Sequence, residues 1–143
     1  MIRLAEAEDI GFLFEELLLP FHAENGLAPL NEQKTLDWLS GMVNEGRVLV
    51  ATRGGKIAGA IGMREMPLSY ADKSLLCDEF FYVRMEWRGE SVGRQLRQAF
   101  TKIAAAGDQI GLLTVLNPGR VAKRGRVCDL IGFIPFGYVL RLT

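Results

Sequence analysis

The stretch Glu86-Trp87-Arg88-Gly89-Glu90-Ser91-Val92-Gly93 sets an arginine, two glycines and a serine directly ahead of a helical pattern. The first backbone N–H groups of a helix have no partner within it, and together with the helix dipole they attract an anion. Glycines let the backbone curl around phosphate oxygens. Here Glu90, Ser91, Val92 and Gly93 offer N–H groups, and Arg88 adds positive charge. A strand-to-helix turn with Ser91 as its cap is the plainer reading of the same residues. A Walker loop would end in Gly-Lys-Ser/Thr, but Gly93 is followed by Arg94 and Gln95. A dinucleotide fingerprint needs G-x-G-x-x-G in a parallel unit, and Gly89 and Gly93 have the wrong spacing.

The elements around this loop follow from hydrophobic periodicity. Ile2 to Ala5 suits a short strand. From Asp9, the apolar positions Ile10, Leu13, Phe14, Leu17, Leu18 and Phe21 predict an amphipathic helix, bent or ended by Pro20. The segment from His22 to Asn31 then reads as loop, followed by a helix from Asn31 to Asn44 capped by Asn31. Val48 to Thr52 and Ile57 to Met63 predict a hairpin turning at Gly54-Gly55. Leu75 to Met85 is an aromatic-rich strand. Val92, Leu96, Phe100 and Ile103 mark a helix, with Arg94, Gln95, Arg97, Gln98 and Lys102 available for solvent. The segment 110–116 predicts a buried strand, 120–132 a basic helix, and 133–142 one bent strand or two short ones.

Strands outnumber helices and hairpins are present, so the sheet must be mixed. The expected fold is α/β (α+β): a mixed, mostly antiparallel sheet of about six or seven strands flanked by about four helices. At 143 residues the chain is expected to be one domain. Lys plus Arg and Asp plus Glu each total 17, a balance that argues against a nucleic-acid-binding protein. Two cysteines, Cys77 and Cys128, fit reduced thiols in a cytoplasm better than a disulfide scaffold. With His22 as the only histidine, no zinc site is expected. No signal peptide is expected, because Glu6, Glu8 and Asp9 precede the first apolar run and Glu15 and Glu16 interrupt it. No run approaches the roughly 20 apolar residues of a membrane span.

The stretch from Phe80 to Phe100 resembles the acyl-CoA-binding motif of the GNAT-type N-acetyltransferases: an aromatic strand ending in Val83, a short link, Arg88, Gly93 and Leu96. Ser91 stands where that family usually has glycine, and Met85 where proline is common. The element order over nearly the whole chain, including the late Gly132-Phe133, agrees with the family.

The resemblance implies a reaction in which an amine attacks the thioester of acetyl-CoA directly. Arg88, Gly89, Glu90, Ser91, Val92, Gly93 and Arg94 would hold the pyrophosphate of coenzyme A. Phe81, Tyr82 and Val83 would pair with the pantetheine arm as an added strand, which requires this strand to splay from the next. Asn117 matches an asparagine at the end of that next strand. The Val83 N–H would donate to the oxyanion. Glu79 is the first candidate for the base and Asp78 the second; alternation puts them on opposite faces. A tyrosine often serves as leaving-group acid, and its position maps to Cys128. Arg120, Lys123, Arg124 and Arg126 are available to the adenosine 3'-phosphate.

The acceptor is expected to be a small-molecule or peptide amine, selected by roughly Phe21 to Leu30, with His22 and Glu24, and by Pro135 to Tyr138. A homodimer is an expectation of the fold alone. Two rivals remain: a non-catalytic module binding acyl-CoA or a protein, and a nucleotide-binding regulator. Serine at position 91 fits the loop if its φ is negative and strains it if φ is positive.

Overall fold

The computed structural model describes residues 1–114. These residues form one five-stranded sheet in the order β1 (Ile2–Leu4), β2 (Val48–Arg53), β3 (Lys56–Pro67), β4 (Ser74–Val83), β5 (Ile110–Leu112). Neighbours pair antiparallel except β4 and β5, which run parallel, so the sheet is mixed as expected. The described residues hold five strands and three helices, rather than the six to seven strands and about four helices read from the whole sequence. The basic helix at 120–132 and the strands at 133–142 lie outside the described residues, as do Asn117 and Cys128.

The first helix, α1, corrects the sequence reading. It begins at Ile10–Leu13, widens into a π turn at Phe14–Leu18 and continues as Leu19–Asn25. Pro20 does not end it, because the π turn resets the hydrogen-bond frame. Pro20 then falls in the first turn of the last segment, where a missing N–H leaves no bond unmade. The helix therefore carries His22 and Glu24, which the sequence had placed in a loop. The loop after it is pinned by His22, whose Nε2 lies 2.6 Å from the carbonyl of Ala28. Helix α2 (Glu32–Asn44) begins as expected, with the Asn31 side chain accepting from the Lys34 N–H at 2.9 Å. The hairpin between β2 and β3 turns at Gly54 and Gly55, with φ of 54° and 78°, a left-handed pair that glycine adopts without strain.

Two apolar layers flank the sheet. Leu13, Leu17, Leu39, Met42 and Val43 of α1 and α2 pack against Val48, Val50, Ala60, Phe80 and Tyr82. Val92, Leu96, Phe100 and Ala104 of helix α3 (Val92–Ala106) pack against Leu49, Ala51, Ala58, Ile61 and Leu76 on the other face. Gly59 in β3 sets how closely α3 approaches. A Cβ there would stand 2.9 Å from the backbone oxygen of Tyr82 and 3.1 Å from Val92 Cγ1. The backbone oxygen cannot yield and the Val92 side chain can give only a little, so a larger residue at 59 would push β3 from β4 and from the start of α3.

Gly59→Ala is expected to destabilise the fold by about 1–3 kcal/mol, read as a Tm lower by roughly 2–4 °C per kcal/mol. An unchanged Tm would show that α3 moves freely away from the sheet.

Candidate functional site

One residue of β4 has no counterpart in β3. The register runs Gly62 to Phe80 and then Met63 to Asp78, which leaves Glu79 as the extra residue of a β-bulge. An extra residue shifts the two-residue alternation by one step. Before it, Leu76 packs toward α3; after it, Phe80 and Tyr82 face α1 and α2, while Phe81 and Val83 face α3.

Next to it lies the last described pairing on the other side of β4. Cys77 to Leu112 is the last β4–β5 pair among the described residues, and the Thr114 N–H instead donates to the side chain of Asp78, Oδ1, at 2.8 Å. From Asp78 to Val83 the β5-side edge of β4 has no strand partner among the described residues. Which groups that edge presents follows from Arg84. Its N–H donates to Ala58 O at 2.9 Å, toward β3. Backbone groups alternate in direction along a strand, so the N–H and C=O of Val83 point the opposite way, toward the open edge. The Arg88 side chain agrees: its Nε donates to Val83 O at 2.9 Å.

Beyond β4 the chain makes a short 3₁₀ turn at Met85–Trp87 and reaches the loop. Gly89 has φ of 88°, a left-handed conformation that favours glycine. Ser91 has φ of −77° and caps α3 by position, so serine carries no backbone strain there. Its hydroxyl makes no cap bond to the helix backbone. It lies 3.4 Å from both Arg53 Nη2 and Gln95 Nε2. Gly93 is closely packed: a Cβ would stand 3.4 Å from Arg97 Nη1 and 3.7 Å from Val83 Cγ2. Glu90 and Arg94 are exposed at the loop and the first turn of α3. Loop, helix start and open strand edge therefore meet at Val83.

Three cations gather around this loop in ways that spacing did not reveal. Arg53, at the end of β2, donates to Gln95 Oε1 at 2.6 Å. Arg97, assigned to solvent by periodicity, lies with its guanidinium 6.0 Å from the Phe81 ring centroid. Arg88 is drawn to α1: its Nη2 donates to Glu24 Oε1 at 2.9 Å and Oε2 at 3.2 Å, and its guanidinium stacks 5.0 Å from the Tyr82 ring. The Tyr82 hydroxyl donates to the same Glu24 carboxylate at 3.1 Å. Burial, and then this bond to a carboxylate, raises the Tyr82 pKa. Pro20 hid from the sequence the continuation of α1 that places Glu24 here.

The two candidate carboxylates differ in surroundings. Burial raises the pKa of Asp78 above the usual carboxylate value, and the bond from the Thr114 N–H opposes that rise. Glu79 pairs with Arg64 at 3.1 Å. It lines an open cavity of about 260 Å³ with Asp37, Trp38, Met42, Glu45 and Arg47. Trp38 is 36% exposed and meets Phe80 edge-on at 5.8 Å. His22 is engaged with the loop after α1 and takes no part in the cluster at Val83.

Among the described residues, no helix is long and apolar enough to cross a membrane. None of the curated proteins matches the chain in sequence. Solved structures of similar fold include a possible acetyltransferase from Clostridium difficile 630, with a TM-score of 0.77 and 17% identity over 100% of this chain and 95% of that one. A ribosomal-protein-alanine N-acetyltransferase from Brucella melitensis biovar Abortus 2308 gives 0.67 and 18%, covering 100% and 99%. An aminoglycoside acetyltransferase from an uncultured soil metagenomic sample, solved with sisomicin, gives 0.66 and 17%, covering 99% and 96%. The sequence profile of the acetyltransferase (GNAT) family matches residues 11–124, a span that takes in α1, the bulged strand, the glycine loop and α3. The chain belongs to the GNAT acetyltransferase family.

Proposed function

We propose that the protein is an N-acetyltransferase that moves the acetyl group of acetyl-CoA to a small-molecule or peptide amine. The observation that carries this reading is the end of β4 at Val83, whose N–H and C=O point away from β3, directly beside a glycine loop and the start of α3. The loop fits a diphosphate: Gly89 supplies the left-handed turn, Ser91 has an ordinary negative φ, and the first-turn amides of α3 are the natural donors. Phe81, Tyr82 and Val83 would take the pantetheine arm as an added strand, and Gly89 to Gly93 with Arg88 and Arg94 would hold the phosphates. Arg53 joins them from the hairpin.

Acetyl-CoA supplies an acyl group activated as a thioester. The chain's part is to place it, steady charge and move protons. The outward N–H of Val83 is a donor for the oxyanion that forms at the carbonyl oxygen. Asp78 is the better base of the two carboxylates. It directly follows the last described β4–β5 pair, and its raised pKa brings proton affinity closer to that of the task. Glu79, held by Arg64 and facing the cavity with Trp38, suits attraction of the cationic acceptor instead. The protein solved with sisomicin takes an aminoglycoside, and a polyamine-like acceptor is one class to test here.

Binding and turnover test the reading in sequence. Acetyl-CoA and CoA are expected to raise Tm where ATP and NAD do not; a ligand at about one hundred times its Kd adds ~2.7 kcal/mol of stability. Free thiol should then appear from acetyl-CoA in a panel of amines. CoA binding without thiol release under any amine would favour a non-catalytic acyl-CoA module.

Asp78→Asn is expected to lower kcat by about 10²–10⁴-fold, the usual range for a general base. The same substitution should raise Tm by a few degrees at neutral pH. A carboxylate with a raised folded-state pKa lends full stability below its unfolded value, and that stability is lost as pH rises through the folded value. The gain in Tm should therefore vanish below about pH 4. A fall in Tm at neutral pH with kcat retained would make Asp78 a structural residue.

Ser91→Gly is expected to leave CoA affinity within about twofold, since φ is already negative and glycine relieves no strain. A tenfold loss would mean that the hydroxyl itself binds phosphate.

A further inference from the structure

Arg88 is held at three points. Its Nε closes on Val83 O, its Nη2 on both oxygens of Glu24, and its plane on the Tyr82 ring. The first of these covers the acceptor that the open edge of β4 presents at its last residue. The second joins a residue near the end of α1 to one at the start of the loop, a separation of 64 positions. The pair is half-exposed, with 29% of the Arg88 side chain and 39% of the Glu24 side chain accessible. Exposed ion pairs of this kind exchange partners at small cost.

We infer that Arg88 is a latch shared between Glu24 and the diphosphate of coenzyme A: without ligand it closes the β4 edge at Val83, and with ligand it leaves Glu24 and turns to the phosphates. Glu24 is then a positioning residue, which sets coenzyme A affinity by competing for the guanidinium. This inference rests on the coenzyme A reading above. Two negative groups flank one arginine in this arrangement. The one with more charge and more acceptor oxygens wins, because a guanidinium pairs with phosphate as well as it does with carboxylate. Departure of the guanidinium also frees Val83 O to accept from a strand-like arm laid along β4.

Coenzyme A itself is the probe, titrated calorimetrically against the wild type, Glu24→Gln, Arg88→Gln and the double variant at one ionic strength. Glutamine at position 24 keeps an acceptor for the Tyr82 hydroxyl, so the fold is retained, and Glu24→Ala serves as a second variant with the same expected sign. Removing the competitor should tighten coenzyme A binding by roughly fivefold, the size of one such ion pair. In the Arg88→Gln background the same change should alter Kd by less than about twofold, because the two residues act through one contact. Unchanged or weaker binding by both Glu24 variants overturns the latch. Equal tightening with and without Arg88 also overturns it, because the effect is then plain removal of a negative charge. If the wild type does not bind coenzyme A at all, the functional reading fails first and the latch falls with it.

Discussion

Glu79 is one residue more than β3 can pair, and the geometry of the site depends on that surplus. The bulge rotates the strand's facing pattern, so Phe80 and Tyr82 close the core under α1 and α2 while Phe81 and Val83 turn to α3. It falls two residues beyond Cys77, the last residue of β4 that pairs with β5 among the described residues. A backbone edge without a partner is normally a liability that proteins blunt or cover. The stretch of β4 from Asp78 to Val83, without a strand partner among the described residues, ends at the glycine loop, where a ligand with amide groups could pair with it. The tight seat of α3 on Gly59 fixes the other wall, since the helix start cannot drift from β4 without opening the core.

The charges around this frame are paired across distant segments rather than along the loop. Arg88 reaches α1, Arg53 reaches α3, and Arg64 reaches the bulge. A chain with zero formal net charge can therefore still bring the guanidinium groups of Arg88 and Arg53 to the start of α3. Each is balanced by a carboxylate or amide when no anion is present, which limits the electrostatic cost of the arrangement in the free protein.

Much of the frame was legible in the sequence because it rests on local rules. The Gly54-Gly55 turn, the Asn31 cap and the spacing of Val92, Leu96 and Phe100 each name their element directly, and the structure agrees. The continuation of α1 past Pro20 was not legible, because a proline inside a periodic run normally ends the helix; the π turn that rescues it has no residue signature. Strand alternation placed Asp78 and Glu79 on opposite sides, but it could not weigh one against the other. Their difference comes from burial at Asp78 and from Arg64 beside Glu79, and both depend on residues remote in sequence. Arg53 escaped notice, and Glu24 was assigned to the acceptor rather than to Arg88, for the same reason. Their partners lie 42 and 64 positions away, and no spacing rule connects them.

The central claim is that the open edge of β4 receives coenzyme A as an added strand. Amide hydrogen exchange at Val83 and Phe81, followed with and without coenzyme A, tests this most directly. The account predicts that both amides, and those from Gly89 to Gly93, become protected on binding, while the hairpin amides at Gly54 and Gly55 do not change. Protection confined to the loop, with Phe81 and Val83 exchanging as before, would contradict it.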